Sequence, residues 1–348
     1  MIEPRDSAPP GAAQTGPGPL IEADSLSKVY PGARAGLRRR QPVRAVEDVS
    51  LTVERGETLA LVGESGCGKT TTGRLLLRLE KPSSGSVLYA GRDIATLRRE
   101  DRREFRRRAQ IIFQDPFGSL NPRLTVGSAL REALTVHGLA TGNAADARVE
   151  ELLELVGLDV SASRRYPHEF SGGQRQRIGV ARALAVEPEF IVADEPVSAL
   201  DVSVQAQVLN LFQDLQRRLD LTYVFVAHDL AAVRQVADRV AVMYMGRIVE
   251  LAPADELYGN PLHPYTRALL AAVPSVGRRE RRLPLAGELA GARHTGGGCS
   301  FYPRCPHPDR DEQCLTGVPL LDEKRPGHFA RCVKTGPQSS LDDVSTRA

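Results

Sequence analysis

The run Gly63-Glu64-Ser65-Gly66-Cys67-Gly68-Lys69-Thr70 has the residue types and spacing to grip a phosphate chain. It fits G-x-x-x-x-G-K-[ST], a loop whose glycines let backbone N–H groups close around anionic oxygens without Cβ clashes. Candidate nucleotide contacts run through Gly63, Ser65, Gly66, Cys67, Gly68, Lys69, Thr70 and Thr71. Lys69 has the length to reach β- and γ-phosphates, and the Thr70 hydroxyl is placed to ligate Mg²⁺. Such a loop works only between a strand that anchors it and a helix whose N-terminus adds partial positive charge. Thr58-Leu59-Ala60-Leu61-Val62 reads as the buried strand. Thr71 to Glu80 reads as the helix, with Leu75, Leu76 and Leu79 on its inner side. The loop predicts nucleotide binding; it does not say what the nucleotide is for.

The surrounding pattern predicts the scaffold. Partly alternating apolar residues from Leu20 to Leu51 suggest antiparallel strands, interrupted by a polar insert from Gly32 to Pro42. Short strands are expected at Gly85 to Gly91 and at Ile111 to Gln114. Between about residues 121 and 170 helical spacing takes over, with Val126, Leu130 and Leu134, then Val149, Leu152, Leu153 and Val156 closed by Gly157. Strand and helix then alternate again: Phe190 to Ala193, a helix marked by Val204, Val208, Leu211 and Leu215, Thr222 to Ala227, and a hairpin turning at Gly246. Alternation of this kind implies an α/β fold with a mostly parallel sheet, an antiparallel β portion and a helical insertion.

Composition narrows the classes. The 348 residues hold 46 basic and 43 acidic side chains, a net charge of +3, so the whole molecule is not a polyanion binder. Arginine is nonetheless clustered at Arg38-Arg39-Arg40 and from Arg98 to Arg108, which reads as a solvated helix face or loop, with contact to anionic lipid headgroups or an acidic partner as the alternative. Residues 1–19 are rich in Pro, Gly and Ala, with no apolar segment of a signal peptide; a flexible lead-in is expected there and a disordered tail at 336–348. No apolar stretch approaches the roughly 20 residues that span a bilayer, so a soluble, cytoplasmic chain is expected, with any spans supplied by partners.

Two further constellations specify the chemistry. Asp194-Glu195 follows a buried apolar strand, where Asp194 suits Mg²⁺ and Glu195 suits polarising an attacking water. Ser171-Gly172-Gly173-Gln174 opens a helix and makes a second anion-binding N-terminus, which makes sense if it grips a nucleotide held by another copy. With these in place the chain resembles the ATP-binding-cassette (ABC) ATPases over roughly residues 20 to 255. Ser171 to Gln174 matches the family signature, Gln114 the glutamine loop, Ser198-Ala199-Leu200-Asp201 the D-loop, and His228 the switch histidine. Tyr30 sits where the family places an aromatic on adenine. The resemblance implies a head-to-tail dimer closed on two ATP molecules. In it Lys69, Thr70, Gln114, Asp194 and His228 of one chain would face Ser171, Gly172, Gly173, Gln174 and Asp201 of the other. Mg²⁺ would be held through Thr70, Gln114 and Asp194, with Glu195 and His228 as the catalytic pair.

Within that family the run from Gln114 to Arg123 and the run Asn260-Pro261-Leu262-His263-Pro264-Tyr265 resemble the oligopeptide and dipeptide importer ATPases. This implies a cassette over 20–254 with its helical subdomain at about 121–170, then a C-terminal extension over 255–335. The insert from Gly36 to Val46 resembles that of the second, partner-type ATPase of a heterodimeric importer. Expected partners are therefore another ATPase subunit, two transmembrane permeases and an extracytoplasmic solute-binding protein, with the chain peripheral on the cytoplasmic face of the membrane. The expected activity is ATP hydrolysis powering uptake of di- and oligopeptides. Alternative readings are nickel or another small solute, or a soluble member of the superfamily acting on nucleic acid; the single phosphate loop and the helical insertion favour a membrane partner and no nucleic acid. Cys299, Cys305, Cys314 and Cys332 suggest a metal site, since a reducing compartment argues against disulfides. Thiolate sites of this kind suit zinc or an iron–sulfur cluster, and the family resemblance implies a 4Fe-4S cluster, with zinc as the alternative.

Overall fold

Five strands rich in β-branched and apolar residues, buried on both faces, lie parallel and anchor the molecule. Ala109–Ile112, Phe190–Asp194, Thr222–Ala227, Thr58–Val62 and Arg239–Tyr244 are neighbours in that order. All residues of Thr58–Val62, Phe190–Asp194 and Thr222–Ala227 are buried. The computed structural model describes residues 18–32, 34–35, 38–39, 42–115, 118, 120–272 and 297–335. Residues 1–17 of the lead-in, most of the basic insert, 116–117 and 119 of the glutamine-loop run, 273–296 of the extension and the tail at 336–348 lie outside the described residues.

The period of two along Thr58–Val62 divides the core between the two faces of the sheet. Leu59 and Leu61 pack with Leu75 and Leu76 of the phosphate-loop helix and with Leu26, Val46 and Val49 of a four-stranded antiparallel sheet. That second sheet runs Val43–Val53, Ile21–Tyr30, Ser84–Tyr89 and Arg92–Asp93. Ala60 and Val62 face the other way, toward Phe212 and Phe225 and the helical portion. There the helices Val126–Val136 and Gly142–Leu155 bury Val126, Leu130, Leu134, Val149, Leu152 and Leu153, the positions their spacing marked. Gly157, at φ +70, follows the second of these helices as a left-handed C-terminal residue.

The phosphate-loop helix is shorter than expected, spanning Lys69–Leu76. Arg78 takes a left-handed φ of +52 and turns the chain away, which leaves Leu79 56% exposed instead of facing inward. The arginine-rich helix Arg99–Arg108 buries only Phe105. Its Glu104 is bonded by Arg107 and Arg108, and the Arg107 guanidinium is the main cause that holds this carboxyl down at about 2.

Among the described residues, the C-terminal segment extends the large sheet. His328–Ala330 pairs antiparallel with Arg247–Pro253, and Asp322–Arg325 pairs with His328–Ala330, so the large sheet reaches eight strands. Glu250, fully buried in the joint, accepts hydrogen bonds from the backbone N–H of Leu262 (2.7 Å) and His263 (2.9 Å). His328 Nε2 reaches the same carboxylate at 2.7 Å. A buried carboxylate is tolerable only with such a set of donors.

His263 beside it is buried, and its Nδ1 accepts the Tyr265 N–H at 3.1 Å. Burial in this apolar joint pushes the imidazole down to about 4. Because the folded-state value lies below the ordinary 6.5, stability is full above about pH 6.5 and declines as pH falls toward 4. The loss should approach about 3 kcal/mol. Urea midpoints between pH 7 and 4 should therefore fall less for His263→Asn than for the wild type, and parallel slopes for the two would exclude His263 as the source.

Candidate functional site

The phosphate loop connects the strand Thr58–Val62 to the helix Lys69–Leu76 at the C-terminal edge of the parallel sheet. Gly63 is at φ +149, and a Cβ there would come within 2.2 Å of the Met243 carbonyl oxygen. Gly68 is at φ +110 and would place a Cβ 2.2 Å from the Ala45 oxygen. Both positions therefore admit only glycine, on backbone and on space. Lys69 is buried, and its Nζ donates to the carbonyls of Gly63 (2.8 Å) and Glu64 (3.0 Å), which holds the cation across the mouth of the loop. The Cys67 side chain points into the interior, where burial raises its thiol. Cys67 therefore offers this loop backbone, not sulfur chemistry.

Two carboxylates arrive from the neighbouring strand. Thr70 Oγ1 donates to Asp194 Oδ1 at 2.8 Å. Asp194 is 5% exposed, and burial raises its carboxyl against the hydrogen bond from Thr70. An oxygen pair of this kind suits a hard cation. Glu195 adopts a left-handed φ of +47, rare for a residue with a Cβ, and its N–H donates to the Val226 oxygen at 3.0 Å. One carboxylate oxygen, Glu195 Oε2, takes Gln114 Nε2 at 3.0 Å and lies 3.4 Å from His228 Nδ1. Gln114 also contacts Ser198 Oγ at 3.4 Å. Residues far apart in sequence thus converge on one oxygen: Gln114 after Ala109–Ile112, Glu195 after Phe190–Asp194, and His228 after Thr222–Ala227.

Tyr30 ends the strand Ile21–Tyr30, and its hydroxyl donates to Glu80 Oε2 at 2.5 Å. The Lys28 ammonium lies 5.1 Å from the ring centroid. Thr71 also bonds the Tyr30 hydroxyl, which ties the aromatic to the phosphate-loop helix.

The signature residues occupy a separate element. Ser171 caps the helix Gly172–Leu184: its Oγ accepts the Gln174 N–H at 3.3 Å, and Gln174 Oε1 accepts the Ser171 N–H at 3.1 Å. The glycines have a packing reason beyond opening a helix end. A Cβ on Gly173 would lie 2.3 Å from Val204 Cγ1, and one on Gly172 would lie 3.2 Å from Leu200 Cδ2. Asp201 is exposed and precedes the helix Val202–Leu219.

The iron–sulfur expectation is corrected. Cys299, Cys305, Cys314 and Cys332 line one cavity with His263, Phe301 and His307, but its volume is about 20 Å³, room for little more than one water. Among the described residues no group of three or more His, Cys, Asp or Glu side chains is disposed to hold a metal ion, zinc included. Burial pushes the Cys299 thiol up to about 11 and raises Cys305, and the neighbouring Cys332 adds to both shifts. Sequence spacing counted the cysteines without fixing how closely their sulfurs meet.

Several site neighbours escaped the sequence reading. Tyr265 accepts the Glu64 N–H at 3.0 Å, and Arg304 forks onto the Glu64 carboxylate at 2.8 and 2.9 Å. No local pattern links positions 64 and 304.

Strand, loop and helix, together with the paired carboxylates, define a P-loop nucleotidase. The sequence matches the family described as ABC transporter over residues 46–198, and that described as oligopeptide/dipeptide transporter, C-terminal region, over 249–314. It is 49% identical over 320 residues to the oligopeptide transport ATP-binding protein AppF of Bacillus subtilis (strain 168), covering 90% of this chain and 96% of that protein. A putative peptide import ATP-binding protein of Brucella ovis, BOV_A0347, is 50% identical, covering 91% of this chain and 98% of that one. Among solved structures, the ATP-binding cassette MJ0796, a dimer in a post-hydrolysis state with ADP and Pi, superposes with a TM-score of 0.60 at 27% identity. The match covers 68% of this chain and 99% of that one. The chain belongs to the ABC transporter family, among its oligopeptide and dipeptide transporter ATP-binding proteins. It is an ATPase of that family. Among the described residues no helix is long and apolar enough to cross a membrane.

Proposed function

We propose that this chain is the ATP-hydrolysing subunit of an importer that takes up di- and oligopeptides. The observation that carries the reading is the meeting of Gln114, Glu195 and His228 on one carboxylate oxygen beside the Thr70–Asp194 pair. In this reading Lys69 neutralises the β- and γ-phosphates, with Gly63, Ser65, Gly66, Cys67, Gly68 and Thr71 lining the chain of phosphates. Thr70, Asp194 and Gln114 hold Mg²⁺, which supplies charge neutralisation at the phosphates. Glu195 takes a proton from the water that attacks the γ-phosphorus, the bond to the bridging oxygen breaks, and ADP and phosphate leave. His228 and Gln114 orient that carboxylate and contact the transferred group. Tyr30 stacks on the adenine.

Ser171, Gly172, Gly173, Gln174 and Asp201 serve the nucleotide of a second ATPase subunit, which completes both sites in a heterodimer. Two permeases supply the membrane path, a solute-binding protein delivers the cargo, and the chain sits against the cytoplasmic side of the membrane. The cassette runs over 20–254, with its helical subdomain at about 121–170, and the extension over 255–335. The peptide cargo rests on relatives at 49 and 50% identity whose names specify oligopeptide transport and peptide import.

Vesicles containing the assembled importer, loaded with ATP on the side of this subunit, should accumulate labelled di- and oligopeptides. They should not accumulate nickel. Nickel uptake without peptide uptake would overturn the cargo assignment.

A further inference from the structure

We infer that Arg304, in the C-terminal segment between Cys299 and Cys305, is a positioning residue for the phosphate loop, acting through Glu64. This inference rests on the ATP-site reading above.

Glu64 occupies the first variable place in the loop, and three of its groups are engaged at once. Its carbonyl accepts from Lys69 Nζ at 3.0 Å, its N–H donates to the Tyr265 hydroxyl at 3.0 Å, and its carboxylate receives both terminal nitrogens of Arg304. The side chain therefore leans away from the glycines and toward the C-terminal segment. Bidentate guanidinium–carboxylate pairs fix orientation as well as distance. This one is sheltered: the Arg304 side chain is 7% exposed and that of Glu64 27%.

Behind the pair stands an aromatic block that cannot shift without repacking. The Phe301 ring meets Tyr244 edge-on at 5.2 Å and Tyr265 at 5.5 Å, and all three residues are buried. The Arg304 guanidinium lies 5.8 Å from the Tyr244 ring. Phe301 and Arg304 belong to one short segment, Phe301 immediately preceding and Arg304 ending the helical turn Tyr302–Arg304. Tyr265 belongs to the helix Pro264–Ala271. Two separate C-terminal elements thus brace the residue whose carbonyl holds Lys69. Loss of that brace frees the loop and moves the ammonium from its place, and the cost falls on nucleotide affinity more than on the chemical step.

The test uses the full-length chain, with fluorescent-nucleotide titration, and the assembled importer for ATPase kinetics. Arg304→Gln should weaken nucleotide binding and raise the KM for ATP about fivefold or more, with a smaller fall in kcat. Arg304→Lys, which keeps charge but loses the fork, should recover only part of the affinity. Glu64→Gln removes the same pair from the other side while leaving the C-terminal segment's own residues intact, and should reproduce the effect. The double variant should bind no more weakly than either single one. Binding and KM within twofold of wild type in both Arg304→Gln and Glu64→Gln would overturn the inference, as would effects that multiply in the double variant. Lys69→Ala serves as the control for the site itself. If wild type and Lys69→Ala bind nucleotide alike, the ATP-site reading falls, and this inference with it.

Discussion

Replacing Glu195 by Gln should leave ATP binding in place while phosphate release falls by about 10²- to 10⁴-fold, the range for removal of a general base. The amide keeps the size and the oxygen that receives Gln114 at 3.0 Å, so the local geometry should survive. What it loses is the capacity to accept a proton from water. Single-turnover phosphate release, read beside nucleotide titration, separates the two effects. Turnover within a few-fold of wild type would remove Glu195 as the base and turn attention to His228, 3.4 Å away. The left-handed φ of +47 at Glu195 gives the result a second reading. Strained backbone at such a place persists when the surrounding structure fixes it, so Gln, with the same backbone demands, should not relax it.

The second large effect concerns stability. Glu250→Ala should destabilise the folded chain by about 3–5 kcal/mol, because it strands the partners of a buried charge. The N–H groups of Leu262 and His263 and Nε2 of His328 would all lose their acceptor in a site closed to water. Thermal denaturation followed by circular dichroism should show the loss, and limited proteolysis should show early cleavage beyond residue 260. Glu250→Gln, which keeps one acceptor oxygen, should fall between. A loss under about 1 kcal/mol for the alanine variant would mean that water or a rearranged backbone replaces the carboxylate, and that the joint is not set by this residue.

The parallel core was legible because its signals are local. A continuous apolar run such as Phe190-Ile191-Val192-Ala193 has few other places to go than a strand buried on both faces. The phosphate loop was legible for the same reason, as all its demands fall within eight residues. Helical spacing gave Val126, Leu130 and Leu134, but it could not show where the phosphate-loop helix ends. Leu79 continues the apolar spacing, yet the left-handed turn at Arg78 carries it to the surface. The convergence of Gln114, Glu195 and His228 was expected only through family resemblance, since nothing in spacing brings positions 114, 195 and 228 together. The parallel order of their strands does that. Glu250 lay unnoticed because a glutamate inside an apolar hairpin strand reads as an outward residue, until a second chain segment covers it. The cysteines erred in the opposite direction: four of one type in a short span suggested a metal site, whereas among the described residues the four line one small cavity without forming a group disposed to hold a metal ion.

The pairing of Glu64 with Arg304 also bears on how the chain is made. Synthesis runs from the N-terminus, so the phosphate loop emerges long before the arginine 240 positions later that holds it. The strand His328–Ala330, which caps the sheet beside Arg247–Pro253, comes later still. A nascent chain that has completed the cassette at residue 254 but has not yet reached Arg304 and His328–Ala330 has a free sheet edge and an unbraced nucleotide loop. A chain cut short before Arg304 should therefore hold ATP more weakly, and be more open to proteolysis, than one that carries the brace.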